Sequence, residues 1–254
     1  MIFTIHKNFK LDTNAWGSAK FQDIIKLLDS VILDFYFNLD VNLIPTKPVQ
    51  VLNSLTRIPP ITHPRFDKNG KTAKIYLYTK DLSWSQYSYQ FSHELCHYVI
   101  DLDFPPKNDK FGWFEESLCE LASLYSLKKM SITWQLNPPY PSWRDYHVAL
   151  NDYASDIISR PENKITETLN EWITNNLLDL FKDRYKRKEN TIIAVNLLPL
   201  FVATPDLWNS IQFLQNITVT DDMTFEQYIL EWKRLIPQVI SDDFDSLVNL
   251  LLNN

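Results

Sequence analysis

The chain has 254 residues, 45% of them hydrophobic and 14% aromatic, which is enough apolar material for one large domain or two small ones. Its net charge of -6 argues against a general affinity for nucleic acid or anionic membranes, because both are negatively charged. No apolar run reaches the roughly 18 residues of a membrane span, the first residues lack a signal-peptide pattern, and two cysteines fit a reducing compartment, so we expect a cytoplasmic protein.

The first third of the chain combines short strand-like runs with one long amphipathic helix. The helix is predicted over residues 19–38, where apolar residues recur every three or four positions. The turn sequence Asp67-Lys-Asn-Gly70 predicts a hairpin, and therefore a small, at least partly antiparallel sheet. The strands are predicted over residues 2–6, 49–52, 61–66 and 74–79.

The rest of the chain has helical patterns. Two central helices are predicted over residues 84–101 and 113–130. Further helices are predicted over residues 142–159, 165–185, 191–201, 206–214, 224–235 and 242–252. These elements predict an α+β fold, mostly α, with a mixed core over residues 1–160 and an all-helical C-terminal subdomain over residues 161–254.

The stretch Phe91-Ser-His-Glu-Leu-Cys-His97 carries the main chemical signal. On a helix, His93 and His97 lie about 40° apart in projection, so both imidazoles can bind one zinc ion. Glu94 lies about 60° from His97, close enough to accept a proton from a metal-bound water. The alternative is a helix whose two histidines only pair with carboxylates on a partly buried face.

The next helix supplies acids at matching spacing. Glu116 follows His97 after the 18 residues 98–115, and Glu120 lies four positions further on. Because Glu116 and Glu120 share a helix face, one can bind a metal while the other accepts the spare ring N–H of a ligating histidine. Glu115, which points about 100° away from Glu116, and a plain acidic helix start favoured by the dipole are the alternatives.

Together, the two central helices resemble the gluzincins, the zinc metallopeptidases with a thermolysin-like catalytic core. The resemblance covers residues 74–128, and Trp113-Phe-Glu-Glu116 is similar to the Trp-Leu-Asn-Glu stretch of related aminopeptidases. It implies a zincin-like core of small sheet, backing helix, active-site helix and glutamate helix, with one zinc ion per chain. It also implies these roles: zinc ligands His93, His97 and Glu116, general base and acid Glu94, and histidine support Glu120.

The chain also departs from that family. No Gly-x-Met-Glu-Asn segment, which binds the free amine of aminopeptidase substrates, precedes His93. Gluzincins stabilise the oxyanion with a downstream His or Tyr, a contribution of several kcal/mol. His147, Tyr140 and Tyr146, with Arg144 beside them, are the candidates here, although their spacing does not match the family. Aromatic packing at a helix start is the alternative for all of them.

Two other features have a functional and a structural interpretation. Cys96 and Cys119 are either thiols near the metal, able to bind it or to oxidise, or small buried core residues. The basic run over residues 182–188 is either a site for an acidic partner or, as we expect, the solvated end of a helix.

The resulting prediction is a zinc metallopeptidase that hydrolyses a protein or peptide substrate bound along the edge of the small sheet. Two alternatives stay open. One is a zinc-binding regulatory or interaction protein that has this fold and no useful peptidase activity. The other is a metal-free helical protein in which the acids and histidines merely pair.

Overall fold

The structure is a computed structural model that describes residues 1–36, 48–59, 65–69, 72–101 and 108–252. Its residues form two compact units: Met1–Tyr98 with Ala122–Asp156, and Val99–Leu121 with Ile157–Asn254. The structure is mostly helical with one small mixed sheet, which confirms the predicted α+β class. Within the described ranges, no helix is both long enough and apolar enough to cross a membrane.

In chain order, the strands and α-helices of the described residues are β1 (Ile2–His6), β2 (Phe9–Asp12), α1 (Phe21–Tyr36), β3 (Val49–Asn53), β4 (Arg65–Asn69), β5 (Thr72–Leu77), α2 (Trp84–Ile100), α3 (Gly112–Leu136), α4 (Tyr146–Ile158), α5 (Leu169–Leu180), α6 (Arg187–Ala203), α7 (Phe225–Leu235) and α8 (Ser241–Leu252). The longest of the 3₁₀ segments between them is Pro205–Asn216.

The five strands of the first unit form one sheet in the order β1-β2-β3-β5-β4. β2, β3 and β5 are parallel, while β1 and β4 pair antiparallel at the two edges. Helix α1 connects the parallel strands β2 and β3, as the crossover helix of a βαβ unit does. Its buried apolar stripe comprises Ile24, Leu27, Leu28, Val31, Ile32 and Phe35.

Helix α2 is fixed to the sheet at two places. The side-chain amide of Gln90 bonds both backbone groups of Tyr78, just beyond the end of β5: the Tyr78 N–H donates at 2.8 Å, and the Gln90 Nε2 donates to the carbonyl at 3.0 Å. Phe91 and Tyr98 pack edge-on against the ring of Phe9 in β2, with centroid distances of 6.3 and 6.2 Å. These contacts set the position of the histidine-bearing turns of α2.

The C-terminal half of α3 packs antiparallel to α2 within the first unit. The Ser123 hydroxyl donates to the backbone carbonyl of Tyr89 at 2.9 Å. Further along, the ring of Trp143 stacks on both Trp84 and Trp134, with centroid distances of 5.2 and 5.7 Å. From the first contact to the second, the residue number falls from 89 to 84 in α2 and rises from 123 to 134 in α3. The two helices therefore run antiparallel.

The second unit has an aromatic core around the start of α3. The ring of Phe111 stacks on Tyr228 of α7 at 4.3 Å, and Trp113 lies 5.0 Å from Phe225. The indole N–H of Trp232 donates to the carbonyl of Ser210 at 2.8 Å. Capping boxes start α5 and α7, each built by a threonine and the third residue of the helix. The second unit is therefore a helical bundle with defined helix starts.

Several predicted boundaries were wrong. The sequence does not predict β2, because four residues with two buried positions give too short an alternation. α3 extends to Leu136, beyond the predicted end at residue 130, and α5 is shorter than the predicted 165–185. The segment predicted as a helix over 206–214 is 3₁₀. The predicted positions 37–38, 61–64 and Gly70 lie outside the described residues.

Candidate metal centre

His93 and His97 lie on one face of α2, as their spacing predicts. Their ring centroids are 5.1 Å apart and their planes meet at 71°, so the two imidazoles are neighbours rather than stacked partners. His93 is half-buried and the exposed fraction of His97 is 9%. Two imidazoles at this distance are a suitable pair of nitrogen ligands for a zinc ion.

Glu94, the predicted general base, is buried beside these histidines, with an exposed fraction of 3%. Burying a carboxylate is costly unless it interacts with other polar groups. A buried glutamate is therefore uncommon and points to a specific role. The burial of the neighbouring Ser92 has a structural explanation, since its hydroxyl donates to the backbone carbonyl of Ser88 in the same helix. A carboxylate next to an imidazole pair can accept a proton, as a general base does.

The acids of α3 lie in the second unit and are also buried. Glu116 and Glu120 have exposed fractions of 8% and 5%. The hydroxyl of Thr191, in α6, donates to Glu120 Oε1 at 3.1 Å and has the carbonyl of Arg187 as a second acceptor at 2.7 Å. A hydroxyl has one proton, so the two acceptors share the donor capacity of Thr191.

Arg184 contacts three acids at the start of α3. Its Nε and Nη2 lie 3.2 and 3.0 Å from Glu116 Oε1, its Nη2 lies 3.7 Å from Glu115, and its Nη1 bonds Asp109. Burial disfavours the charge of Arg184, but the combined attraction of Glu115, Glu116 and Asp109 raises its pKa above the ordinary value. Arg184 is therefore a permanent cation at the start of α3.

The sequence did not indicate the role of Arg184. It lies in the basic run 182–188, which the charge pattern predicts to be a solvated helix end. The side chain of Lys182 fits that prediction, with an exposed fraction of 71%, whereas the Arg184 side chain has only 22%. For Arg184 the interpretation was wrong, because charge pattern alone does not show which member of a basic run meets buried acids.

Cys96 and Cys119 are both fully buried, and neither is in a disulfide. Cys96 is in α2 of the first unit and Cys119 is in the half of α3 that belongs to the second unit. Burial fits the interpretation as small core residues. It is also compatible with a metal-binding thiolate at Cys119, whose helix carries the candidate third ligand.

Of the predicted oxyanion stabilisers, Tyr146 lies near the beginning of α2, while Tyr140 and His147 contact residues of their own segment. The Tyr146 hydroxyl accepts hydrogen bonds from the backbone N–H and the hydroxyl of Ser85, at 3.3 and 3.4 Å. Ser85 precedes His93 by about two helical turns, roughly 12 Å along the axis. Tyr140 packs edge-on against Trp143, and His147 Nδ1 lies 2.8 Å from the carbonyl of Arg144. These contacts fit the alternative interpretation of a packed helix start.

No protein-family model, no curated protein and no solved structure matches this chain. The functional argument therefore rests on the donor atoms of the site itself.

Proposed function

We propose that this protein is a zinc-dependent peptidase of the gluzincin type, with His93, His97 and Glu116 as metal ligands and Glu94 as general base. The observation that carries the proposal is that the imidazoles of His93 and His97 are adjacent on α2. The buried Glu94 lies between these two histidines in the sequence. Two neutral nitrogens and one carboxylate oxygen are the ligand set that catalytic zinc sites use, so these residues fit that ion.

The helix register supports a third ligand from α3. The Ser123–Tyr89 bond aligns the two antiparallel helices in the first unit. His93 follows Tyr89 by one turn of α2, while Cys119 and Glu116 precede Ser123 by one and two turns on its side of α3. Within α3, Cys119 and Glu116 therefore share the helix face of Ser123, the face from which the proposal takes its third ligand.

When bound, zinc supplies Lewis acidity and lowers the pKa of a coordinated water to about 7. Glu94 would serve as the general base that takes a proton from the attacking water and as the general acid that returns it to the leaving amine. Burial of Glu94 keeps bulk water from competing for this proton transfer. The substrate is a peptide segment that adds to an edge strand of the sheet, because an edge strand offers backbone groups to another strand.

A second candidate function is zinc binding without useful hydrolysis, as in a regulatory or interaction protein. The observation that favours it is the location of Tyr146, whose hydroxyl contacts Ser85 near the N-terminal end of α2. An oxyanion donor contributes several kcal/mol to peptide hydrolysis. A site that lacks one binds metal with little turnover.

Cys119 is an alternative third ligand to Glu116, since a thiolate binds zinc as readily as a carboxylate does. A buried thiolate in place of the carboxylate favours structural over catalytic zinc sites in general. If Cys119 is the third ligand, zinc binding without useful hydrolysis is therefore favoured. The reducing cytoplasm that we propose as the location keeps such a thiol available.

The first experiment is the zinc content per chain of the purified protein, beside His93→Ala and Glu116→Ala. His147→Ala and the exposed Glu226→Ala are the matched controls. The proposal expects about one zinc per chain in the wild type and in both controls, and a strong loss in both ligand variants. A wild type without zinc under metal-replete conditions contradicts the proposal and favours a metal-free helical protein.

A further inference from the structure

Lys128 connects α3 to α4 within the first unit. Its ammonium nitrogen Nζ donates hydrogen bonds to Asn151 Oδ1 and to Ser155 Oγ, both at 2.8 Å. Asn151 and Ser155 are four residues apart in α4, so they share one face of that helix. All three side chains are half-buried. A cation from one helix and two polar side chains from the other therefore converge on one point.

Both partners of Lys128 are neutral. Removing a cation from water costs free energy, and a nearby negative group normally offsets that cost. The exposed Lys182 has such a group, because it pairs with Asp179 at 2.8 Å. Within the part of the chain that the structure describes, the hydrogen bonds of Lys128 go to the amide and the hydroxyl and to no carboxylate. The cluster therefore has a formal charge of +1 that no acid in it neutralises.

The cluster also has hydrogen-bond donors to spare. An ammonium group has three N–H donors, of which Lys128 uses two. Because Ser155 accepts a bond from Lys128, its own O–H proton is directed to a different acceptor. The amide nitrogen of Asn151 has two further N–H groups beside the oxygen that faces Lys128. One positive charge and three kinds of donor are thus present at the same place.

We propose that Lys128, Asn151 and Ser155 form a binding site for an oxyanion, which is the carboxylate or phosphate group of a small ligand. Both groups have charged oxygens that accept several hydrogen bonds, and hydrogen bonds to such oxygens are roughly twice as strong as those between neutral groups. The site is separate from the proposed metal centre, and the inference does not depend on zinc.

The acids closest in sequence do not occupy this position. Asp152 and Asp156 each follow a member of the cluster by one residue, which places them about 100° further around α4. Both are exposed. An oxyanion at Lys128 would contact α3 and α4 at once, so its binding is expected to stabilise the folded first unit as well.

The test is a titration of the full chain with inorganic phosphate and, separately, with acetate, followed by the NMR shifts of the backbone amides around residues 128, 151 and 155. Chloride keeps the ionic strength constant, because screening alone alters surface charges. The variants are Lys128→Met and Asn151→Asp. The matched control is Lys26→Met, which removes an exposed lysine from helix α1 of the same unit.

The proposal expects saturable shifts at these amides in the wild type and in Lys26→Met. In both cluster variants it expects affinity to fall at least about tenfold, as for the loss of a hydrogen bond to a charged group. Asn151→Asp is the sharper variant, because its carboxylate keeps the size and the contact to Lys128 while it neutralises the charge. Tighter binding of phosphate assigns the site to a phosphate group, and equal or tighter binding of acetate assigns it to a carboxylate.

Three outcomes overturn the proposal. One is the absence of saturable shifts with either anion in the wild type, which makes Lys128 only a bridge between two helices. Another is an equal loss of affinity in Lys26→Met, which shows unspecific attraction to positive charge. The third is unchanged affinity in Asn151→Asp. If Lys128→Met does not fold, Asn151→Asp decides alone, since it retains the contact between α3 and α4.

Discussion

The hydroxyl of Ser123 in α3 donates to the backbone carbonyl of Tyr89 in α2 at 2.9 Å, and Ser123 is fully buried. A serine is small enough to let two helices approach closely, and its hydroxyl needs a partner when it is buried. The contact therefore sets both the distance and the register of the helices that carry the proposed ligands.

This register predicts different effects for two substitutions at one position. Ser123→Ala removes a single hydrogen bond and is expected to cost about 1 kcal/mol of unfolding free energy, with zinc affinity close to that of the wild type. Ser123→Leu inserts a large side chain between the helices, which is expected to cost about 1–3 kcal/mol and to lower zinc affinity at least tenfold. Chemical denaturation and zinc titration measure both quantities.

Ser131 supplies the control, because its hydroxyl donates within α3 to the carbonyl of Lys128. Ser131→Ala is expected to leave zinc affinity unchanged. Full zinc affinity in a folded Ser123→Leu variant would show that the ligands do not depend on this helix contact.

The role of Glu94 separates the peptidase from the zinc-binding protein. Glu94→Gln keeps the size of the side chain and removes the carboxylate that accepts the proton, so we expect zinc content to be retained and peptide cleavage to fall at least 100-fold. The measurement is a screen of quenched fluorescent peptides with metal analysis of the same samples. The exposed Glu226→Gln is the control.

If Glu94→Gln and the wild type cleave peptides at indistinguishable rates, two interpretations are possible. The metal content and the absolute rate decide between them. If both proteins hold zinc and neither cleaves any peptide, the zinc-binding function is favoured. If both cleave at the same rate, Glu94 is not the general base.

The identity of the third ligand is tested by Cys119→Ser and Glu116→Gln. With Glu116 as ligand, Cys119→Ser is expected to keep about one zinc per chain, whereas Glu116→Gln loses most of its affinity. The cobalt-substituted wild type is then expected to lack the intense charge-transfer absorption of a cobalt–thiolate bond. Cys96→Ser is the control, because Cys96 is also fully buried. A thiolate band that disappears only in Cys119→Ser would assign the ligand to Cys119.

The sequence predicted those parts of the fold that follow from local patterns. The stripe of α1, the beginning of α2 and the pairing of β4 with β5 all come from periodicity or turn chemistry, which act over a few residues. The placement of His93 and His97 on one helix face is equally local. Strand β2 has too few residues for such a pattern, so it was missed.

The environment of Glu116 could not be predicted in the same way. Its partner Arg184 lies 68 residues further along the chain, in a run of charges that looks solvated. Contacts at that separation depend on how helices pack, and no local propensity encodes them. In hindsight Gly112 is a local signal, since a glycine at a helix start can mark a close approach by another group.

Asp34 links stability to pH in the first unit. Burial raises its pKa to about 6, against the opposing effects of a hydrogen bond from Thr133 and the charge of Lys129. The Thr133 hydroxyl donates to Asp34 Oδ2 at 2.9 Å and joins α1 to α3. A carboxyl group that is harder to ionise in the folded state destabilises the fold once it is ionised.

The sign of the effect follows from the proton balance. Between the ordinary pKa of 3.8 and about 6, the folded state holds a proton on Asp34 that the unfolded state has released. The contribution of Asp34 to stability is therefore complete below pH 3.8 and is lost as the pH rises through about 6. The loss amounts to at most about 3 kcal/mol, because each pH unit of difference corresponds to about 1.4 kcal/mol.

Asp34→Asn keeps an oxygen that can accept the Thr133 hydrogen bond and removes the charge. We expect it to be more stable than the wild type at pH 7 and of similar stability at pH 3.5, so that the difference between the two proteins grows as the pH rises. Unfolding midpoints across this range measure the effect, and the exposed Asp152→Asn is the control. A difference that is constant with pH would show that Asp34 has the same pKa in the folded and unfolded states.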